Sequence, residues 1–276
     1  MDSRIMKTLV AIPSRFQSSR FPGKPLALIN GKPMLEWVVR GVLKSKYVSD
    51  VVVLTDDQRI FDFVVQWNEK SKLSKVMTAA QSVKPVMTSE KCETGTDRIF
   101  DGLQRLEKSG QIYDYVINVQ GDEPLISELH LDPVFEKINS NSKIQMITSG
   151  TPIKLDEIQN MNCVKVLLDK NRDAIYFSRF PIPFSRQNHT DTKLDQNNLT
   201  VLKHVGLYGY SVQFLKQFCA TPMTAIEKAE SLEQLRALHL GVKIHVVETK
   251  HLSIGIDTPD DLKMIEEKIK TGEVKI

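Results

Sequence analysis

The sequence predicts an α/β protein in which a doubly wound sheet carries a small β-rich lobe. Three observations support this. The first hundred residues alternate short apolar runs with amphipathic segments in the order β, loop, α, β, α, which is how a doubly wound sheet begins. The apolar runs Thr8–Ile12, Val51–Leu54 and Tyr115–Val119 each lead towards polar or charged residues, and ligands of open α/β sheets bind beyond the carboxyl ends of the strands. From Asn162 the pattern changes to paired strands closed by turn residues, the signature of an antiparallel insertion.

The elements follow in order. Thr8–Ile12 is the first strand, and a loop bearing Arg15, Arg20 and Lys24 follows it. Asn30-Gly31 marks a turn. Pro33 suits a first helical position, and Leu35, Val38, Val39, Val42 and Leu43 recur at helical spacing. Val51–Leu54 is wholly apolar, as a strand covered on both faces requires, and Thr55-Asp56-Asp57 caps the next helix. Residues 69–84 are Lys-rich and without period, so they read as a surface excursion that precedes a short strand at Pro85–Met87. Thr94-Gly95-Thr96-Asp97-Arg98 opens a helix with Ile99, Leu103 and Leu106 on one face. Tyr115–Val119 runs into Gln120-Gly121-Asp122-Glu123-Pro124, residues 129–139 are helical, and Ile144–Ile147 is a strand.

In the lobe, CVKVLLD and AIYFSRF form a hairpin about Asn171-Arg172-Asp173, and Pro181 and Pro183 end it. Residues 185–200 are polar and read as a loop. Val205–Tyr210 is a further strand. Thr224-x-x-Glu227 is a capping box for a helix that Gly241 closes. Lys243–Glu248 is the last strand. Thr258 caps a final helix, with Pro259 first and two Asp in its first turn.

Composition narrows the function. Of 276 residues, 41% are hydrophobic and 26% charged, the balance of a soluble globular chain. A net charge of +3 gives no bulk attraction to nucleic acid, so anion binding has to rest on local clusters. Cys92, Cys163 and Cys219 are odd in number and far apart, unlike a disulfide framework or a Cys-x-x-Cys zinc site. No apolar run has the length of a membrane span, and the run ending at Pro13 is too short for a signal peptide. A cytoplasmic location without membrane insertion is the expectation.

The candidate chemistry lies at strand ends. Arg15, Arg20 and Lys24 form a basic loop suited to phosphate, although a solvated loop has the same composition. It is not a Walker A loop, because Pro25 follows Lys24. Asp122 follows a buried strand and a glycine. Asp257 stands one residue before the Thr258 cap, which leaves its side chain available. Two such carboxylates suit Mg²⁺ held against phosphate oxygens, and solvated turn residues remain the plainer alternative. No Asp-x-Asp occurs, which weakens a glycosyltransferase reading, and no Gly-x-Gly-x-x-Gly marks a dinucleotide site. In the lobe, Arg179, His204, Tyr208, Glu233 and Gln234 combine a cation with hydroxyl-binding groups, as a hydroxylated acid would need. A histidine there could equally be a core residue.

These motifs carry a family likeness. IPSRFQSSRFPGKPL, ETGTDR, NVQGDEP, YFSR, HVGLYGY, EKAESLEQLR and GIDTPDDL, taken in this order, resemble the 3-deoxy-manno-octulosonate (Kdo) cytidylyltransferases, from about Thr8 to about Ile269. The resemblance implies a nucleotidyltransferase fold of the nucleotide-diphospho-sugar transferase type. This would be a Rossmann-type mixed sheet in a single domain over 1–276, with a sugar-binding and dimerisation lobe at about 160–222. It implies that CTP and Kdo give CMP-Kdo and diphosphate for lipopolysaccharide biosynthesis, in a cytoplasmic homodimer using Mg²⁺. An 8-amino-Kdo or nonulosonic acid is the alternative acceptor.

The resemblance also distributes roles. Arg15, Arg20 and Lys24 would bind the triphosphate, with the backbone of Pro13 and Ser14 supporting the nucleotide. Gly95 and Arg98 would lie by the cytidine, and Asp122 and Asp257 would hold Mg²⁺. Gln120, Arg179, His204, Tyr208, Glu233 and Gln234 would receive the sugar acid. Ser14 stands where the family usually has Ala, and Cys92-Glu93-Thr94-Gly95 where many members have His-Gln-Ser-Gly.

Overall fold

Thr8 to Ile12 are β-branched or apolar and fully enclosed, and they build β1 (Thr8–Pro13). The computed structural model describes residues 6–18, 20–73, 76–78, 80–184, 201–251, 253–274 and 276. The chain forms two compact units, Met1–Phe135 with Leu252–Ile276, and Glu136–His251. The lobe expected at about 160–222 falls within the second.

In the first unit β1 is flanked by two parallel strands, β4 (Asp50–Thr55) and β6 (Tyr115–Asn118). β5 (Ser82–Met87) extends the sheet beside β4 and is also parallel. β2 (Leu28–Ile29) and β3 (Lys32–Pro33) form a small hairpin. Asn30 and Gly31 at its turn have φ of 47° and 78°, the left-handed pair that such a two-residue turn requires. α1 (Met34–Leu43) buries Leu35, Val38, Val39 and Val42. Pro33 is its cap rather than its first residue, because its ψ of 142° is extended.

α3 (Gly95–Lys108) begins with a full capping box between Thr94 and Asp97, and α9 (Pro259–Lys270) with one between Thr258 and Asp261. Both starts agree with the sequence reading. The surface excursion over 69–84 does not hold as a whole. α2 (Gln58–Leu73) continues through its first part, and β5 begins at Ser82. Ile60, Val64, Trp67 and Ser71 are buried at helical spacing, so one face suffices to hold the helix.

α4 (Glu128–Ser140) leads the chain into the second unit. There β7 (Met146–Pro152) pairs in parallel with β11 (Ile244–Glu248) and antiparallel with β10 (Val201–Ser211). β10 pairs with β8 (Lys165–Leu168), and β8 with β9 (Ala174–Ser178), the expected hairpin. A short helix, α5 (Leu155–Ile158), precedes β8.

α6 (Val212–Ala220) was not anticipated. Ser211 caps it by accepting from Phe214 N–H. The single helix expected from Thr224 to Gly241 is two, α7 (Ala225–Glu230) and α8 (Leu235–His239). Ser231, at φ 53°, interrupts it in a left-handed conformation that no helix continues through. The polar loop read at 185–200 lies outside the described residues. No helix among the described residues is long and apolar enough to cross a membrane.

Candidate active site

The basic loop leaves β1 at Pro13. Ser14 N–H donates to Leu54 O at 2.8 Å, which anchors the loop to the end of β4. Gly23, at φ 75°, turns the chain so that Lys24 opens a short 3-10 turn. Lys24 Nζ lies 2.6 Å from Asp122 Oδ2 and 3.2 Å from Asp257 Oδ1, and Arg20 Nη2 lies 3.3 Å from Asp257 Oδ2. Four residues of the predicted phosphate and metal set therefore converge. Arg15 is exposed at the same cavity and has no carboxylate partner among the described residues.

Two tethers bring the carboxylates together. Ile256 N–H donates to Asp122 O at 3.0 Å, and Ser253 Oγ donates to Glu123 Oε2 at 2.6 Å. Burial, with a smaller contribution from the Asp122 charge, pushes the Glu123 carboxyl up to about 7, against the opposing effect of the Ser253 hydrogen bond. Gly121 lets this loop lie on the end of β1. A Cβ there would stand 3.0 Å from Pro13 O and 3.5 Å from Ser14 Oγ.

A cavity of about 240 Å³ opens between these loops and the start of α3. Pro13, Ser14, Lys24, Thr94, Gly95 and Asp122 line it, together with Arg15, Arg20, Gln120 and Asp257. Ser14 Oγ is buried and has no hydrogen-bond partner among the described residues, a polar group left for a ligand to satisfy. Gly95 is the first residue of α3, where backbone N–H groups lack helical acceptors.

Arg98 lines the cavity too, but its guanidinium is committed. Nη2 donates to Asp56 Oδ2 and Nη1 to Thr88 Oγ1, both at 2.6 Å, and the side chain is buried. Asp56 and Thr88 were missed as partners, because the ladder between β4 and β5 is what aligns their ends. Gln120 Nε2 donates to Asn118 Oδ1 at 3.4 Å and belongs to this cavity.

The two carboxylates suit a divalent cation only in part. Among the described residues no group of three or more His, Cys, Asp or Glu could hold a metal. Two carboxylates already gathered about one ammonium nevertheless fit Mg²⁺, which takes one or two protein carboxylates and completes its shell with water and substrate phosphate.

The second unit gathers most of the predicted sugar-acid residues. His204 and Tyr208, both on β10, have ring centroids 5.3 Å apart. The ladder between β10 and β7 shifts between Val205 and Tyr208, yet both rings still meet. Tyr208 OH donates to Gln234 Oε1 at 3.2 Å, and Gln234 Nε2 is buried with no partner among the described residues. Burial pushes the His204 pKa down to about 3, so the ring is neutral at physiological pH.

Arg179 sits at the end of β9. Its Nε donates to Glu230 O at 2.9 Å, and its backbone N–H to Glu230 Oε2 at 2.9 Å. Glu230 also accepts from Ser178 Oγ at 2.7 Å. This carboxylate was overlooked because nothing in its local sequence shows that α7 meets the end of β9. Glu233 is half-buried beside Gln234.

The relatives decide the family. A family model described as cytidylyltransferase matches residues 9–244. A 3-deoxy-manno-octulosonate cytidylyltransferase of Bdellovibrio bacteriovorus is 42% identical over 266 residues, covering 96% of this chain and 99% of the relative. The chain belongs to the 3-deoxy-manno-octulosonate cytidylyltransferase family.

A cytidylyltransferase of the same description from Geobacter sulfurreducens is 42% identical, covering 96% and 100%. A solved CMP:2-keto-3-deoxy-manno-octonic acid synthetase, complexed with CTP, superposes with a TM-score of 0.82 at 33% identity, covering 97% and 100%. A Leptospira borgpetersenii cytidylyltransferase, at 17% identity and TM-score 0.59, shares the fold. The expected nucleotidyltransferase architecture is therefore that of the family, and this cytidylyltransferase is an enzyme.

Proposed function

We propose that this chain transfers CMP from CTP to the anomeric hydroxyl of Kdo. The sugar oxygen bonds to the α-phosphorus, the bond from that phosphorus to the β-phosphate oxygen breaks, diphosphate leaves, and the hydroxyl proton passes to solvent. The observation that carries this reading is the convergence of Lys24, Arg20, Asp122 and Asp257 at the rim of one cavity.

The residues divide the work. Arg15, Arg20 and Lys24 neutralise the triphosphate and the charge that grows on the leaving diphosphate. Ser14 and the first residues of α3, including Gly95, supply polar contacts to the nucleotide. Arg98 acts through its ion pair with Asp56, holding the start of α3 in place. Asp122 and Asp257 would hold Mg²⁺, which when bound offsets phosphate charge and lowers the pKa of a nearby hydroxyl. Arg179, His204, Tyr208, Glu233 and Gln234, with Gln120, would receive the sugar acid.

Use of CTP suits a cytoplasmic enzyme. A homodimer is supported by Ile175 and Phe180, which are 54% and 65% exposed at and beside the edge strand β9. Sedimentation showing only monomer would refute it. The catalytic test is diphosphate release from CTP with Kdo, 8-amino-Kdo and a nonulosonic acid, with and without Mg²⁺. Release with Kdo in Mg²⁺ is expected. A preference for another acid would reassign the acceptor, and no release with any of them would overturn the reading.

A further inference from the structure

The irregularity in β10 encloses a hydrogen-bond arrangement with only one consistent proton placement. Thr148 on β7 is fully buried. Its Oγ1 lies 2.8 Å from Leu207 O, 3.3 Å from Val205 O and 3.0 Å from His204 Nε2. A hydroxyl has one hydrogen and two lone pairs, whereas a carbonyl only accepts. If the hydroxyl donated to His204, two oxygens would face each other at 2.8 Å with no hydrogen between them, a repulsive contact. The hydrogen therefore points to the carbonyls, nearest to Leu207 O. The hydroxyl lone pair then has to accept from the imidazole.

We propose that Thr148 is a positioning residue that holds His204 as the Nε2–H tautomer, so that Nδ1 stands as a fixed acceptor for a hydroxyl of the sugar acid. Nδ1 has no hydrogen bond among the described residues. Burial lowers the ring's pKa to about 3, which keeps that lone pair free of a proton. The neighbouring Gln234 supplies the converse group, since its buried Nε2 has hydrogens but no acceptor among the described residues. An acceptor and a donor presented by one lobe match a hydroxyl, which both donates and accepts. The inference rests on the sugar-acid reading of this lobe, and it adds the residue that orients its histidine.

The test combines tautomer and kinetics. Long-range ¹H–¹⁵N correlation spectra of ligand-free protein report which ring nitrogen of His204 carries the proton. Wild type and Thr148→Ser should show Nε2–H, and Thr148→Val should lose that preference. With Kdo as acceptor, Thr148→Val should raise KM for Kdo about tenfold with KM for CTP unchanged, and Thr148→Ser should recover most of it. An Nδ1–H ring in wild type overturns the inference, and so does an unchanged Kdo KM in Thr148→Val. Should the valine variant fail to fold, the wild-type and serine spectra still decide the matter. If no sugar acid supports turnover, the proposed function falls while the spectra independently judge the tautomer.

Discussion

Lys24 Nζ lies 2.6 Å from Asp122 Oδ2, an ion pair between residues 98 positions apart in the chain. The same ammonium reaches Asp257, which Arg20 also pairs, so two cations offset two carboxylates. Lys24→Met should raise KM for CTP by about tenfold or more, because a charge-assisted phosphate contact is lost. Its melting temperature should fall by no more than a few degrees, since the carboxylates left without that cation are partly exposed and water screens them. Initial rates at varied CTP check this, and an unchanged KM would remove Lys24 from the triphosphate site.

Asp257 faces Lys24 and Arg20, and the Thr258 cap does not need its side chain. Asp257→Asn should lower turnover and raise the Mg²⁺ concentration at half-maximal rate, each by at least about tenfold, the cost seen even when only a supporting group of a metal site is lost. A Mg²⁺ titration identical to wild type would assign Asp257 to the ion pairs alone.

Glu123 carries a pH dependence whose sign can be worked out. Its folded pKa of about 7 lies above the ordinary 4.5, so the folded state holds the proton more tightly. That contribution is complete below about pH 4.5 and is lost as pH rises through 7, amounting to about 3 kcal/mol in all. Glu123→Gln cannot titrate. From pH 5 to 8, wild type should lose stability relative to this variant. Parallel denaturation midpoints across that range would contradict the assignment.

The buried pair Arg236–Glu227 supports the lobe. Arg236 Nε donates to Glu227 Oε2 at 2.8 Å and Nη2 to Glu227 Oε1 at 2.5 Å, and the guanidinium lies 4.5 Å from the centre of the Phe218 ring. Arg236→Ala leaves a carboxylate enclosed without its partner and should cost about 3–5 kcal/mol. Chemical denaturation measures this. A loss below about 1 kcal/mol would place the pair in the class of solvated surface bridges.

Local elements were legible because their causes are local. The Asn30-Gly31 turn, the Thr94, Thr224 and Thr258 caps and the apolar strands each depend on a few adjacent residues. α2 was partly missed because the polar run Asn68-Glu69-Lys70 near its end hides the last turn of a narrow buried stripe of Ile60, Val64, Trp67 and Ser71. The Ser231 break was missed because a left-handed serine has no sequence mark comparable to glycine.

The sequence by itself determined the α/β class, the strand-end positions of Asp122 and the basic loop, and, through its motifs, the family. Tertiary structure alone decided which groups are free to meet a ligand. Arg98 is committed to Asp56 and Thr88, Arg179 is held by Glu230, and Thr148 dictates the proton on His204. The physical reason is common to all three. Hydrogen-bond valence is settled by partners dozens of residues away or on another element, and only folding brings them within about 3 Å.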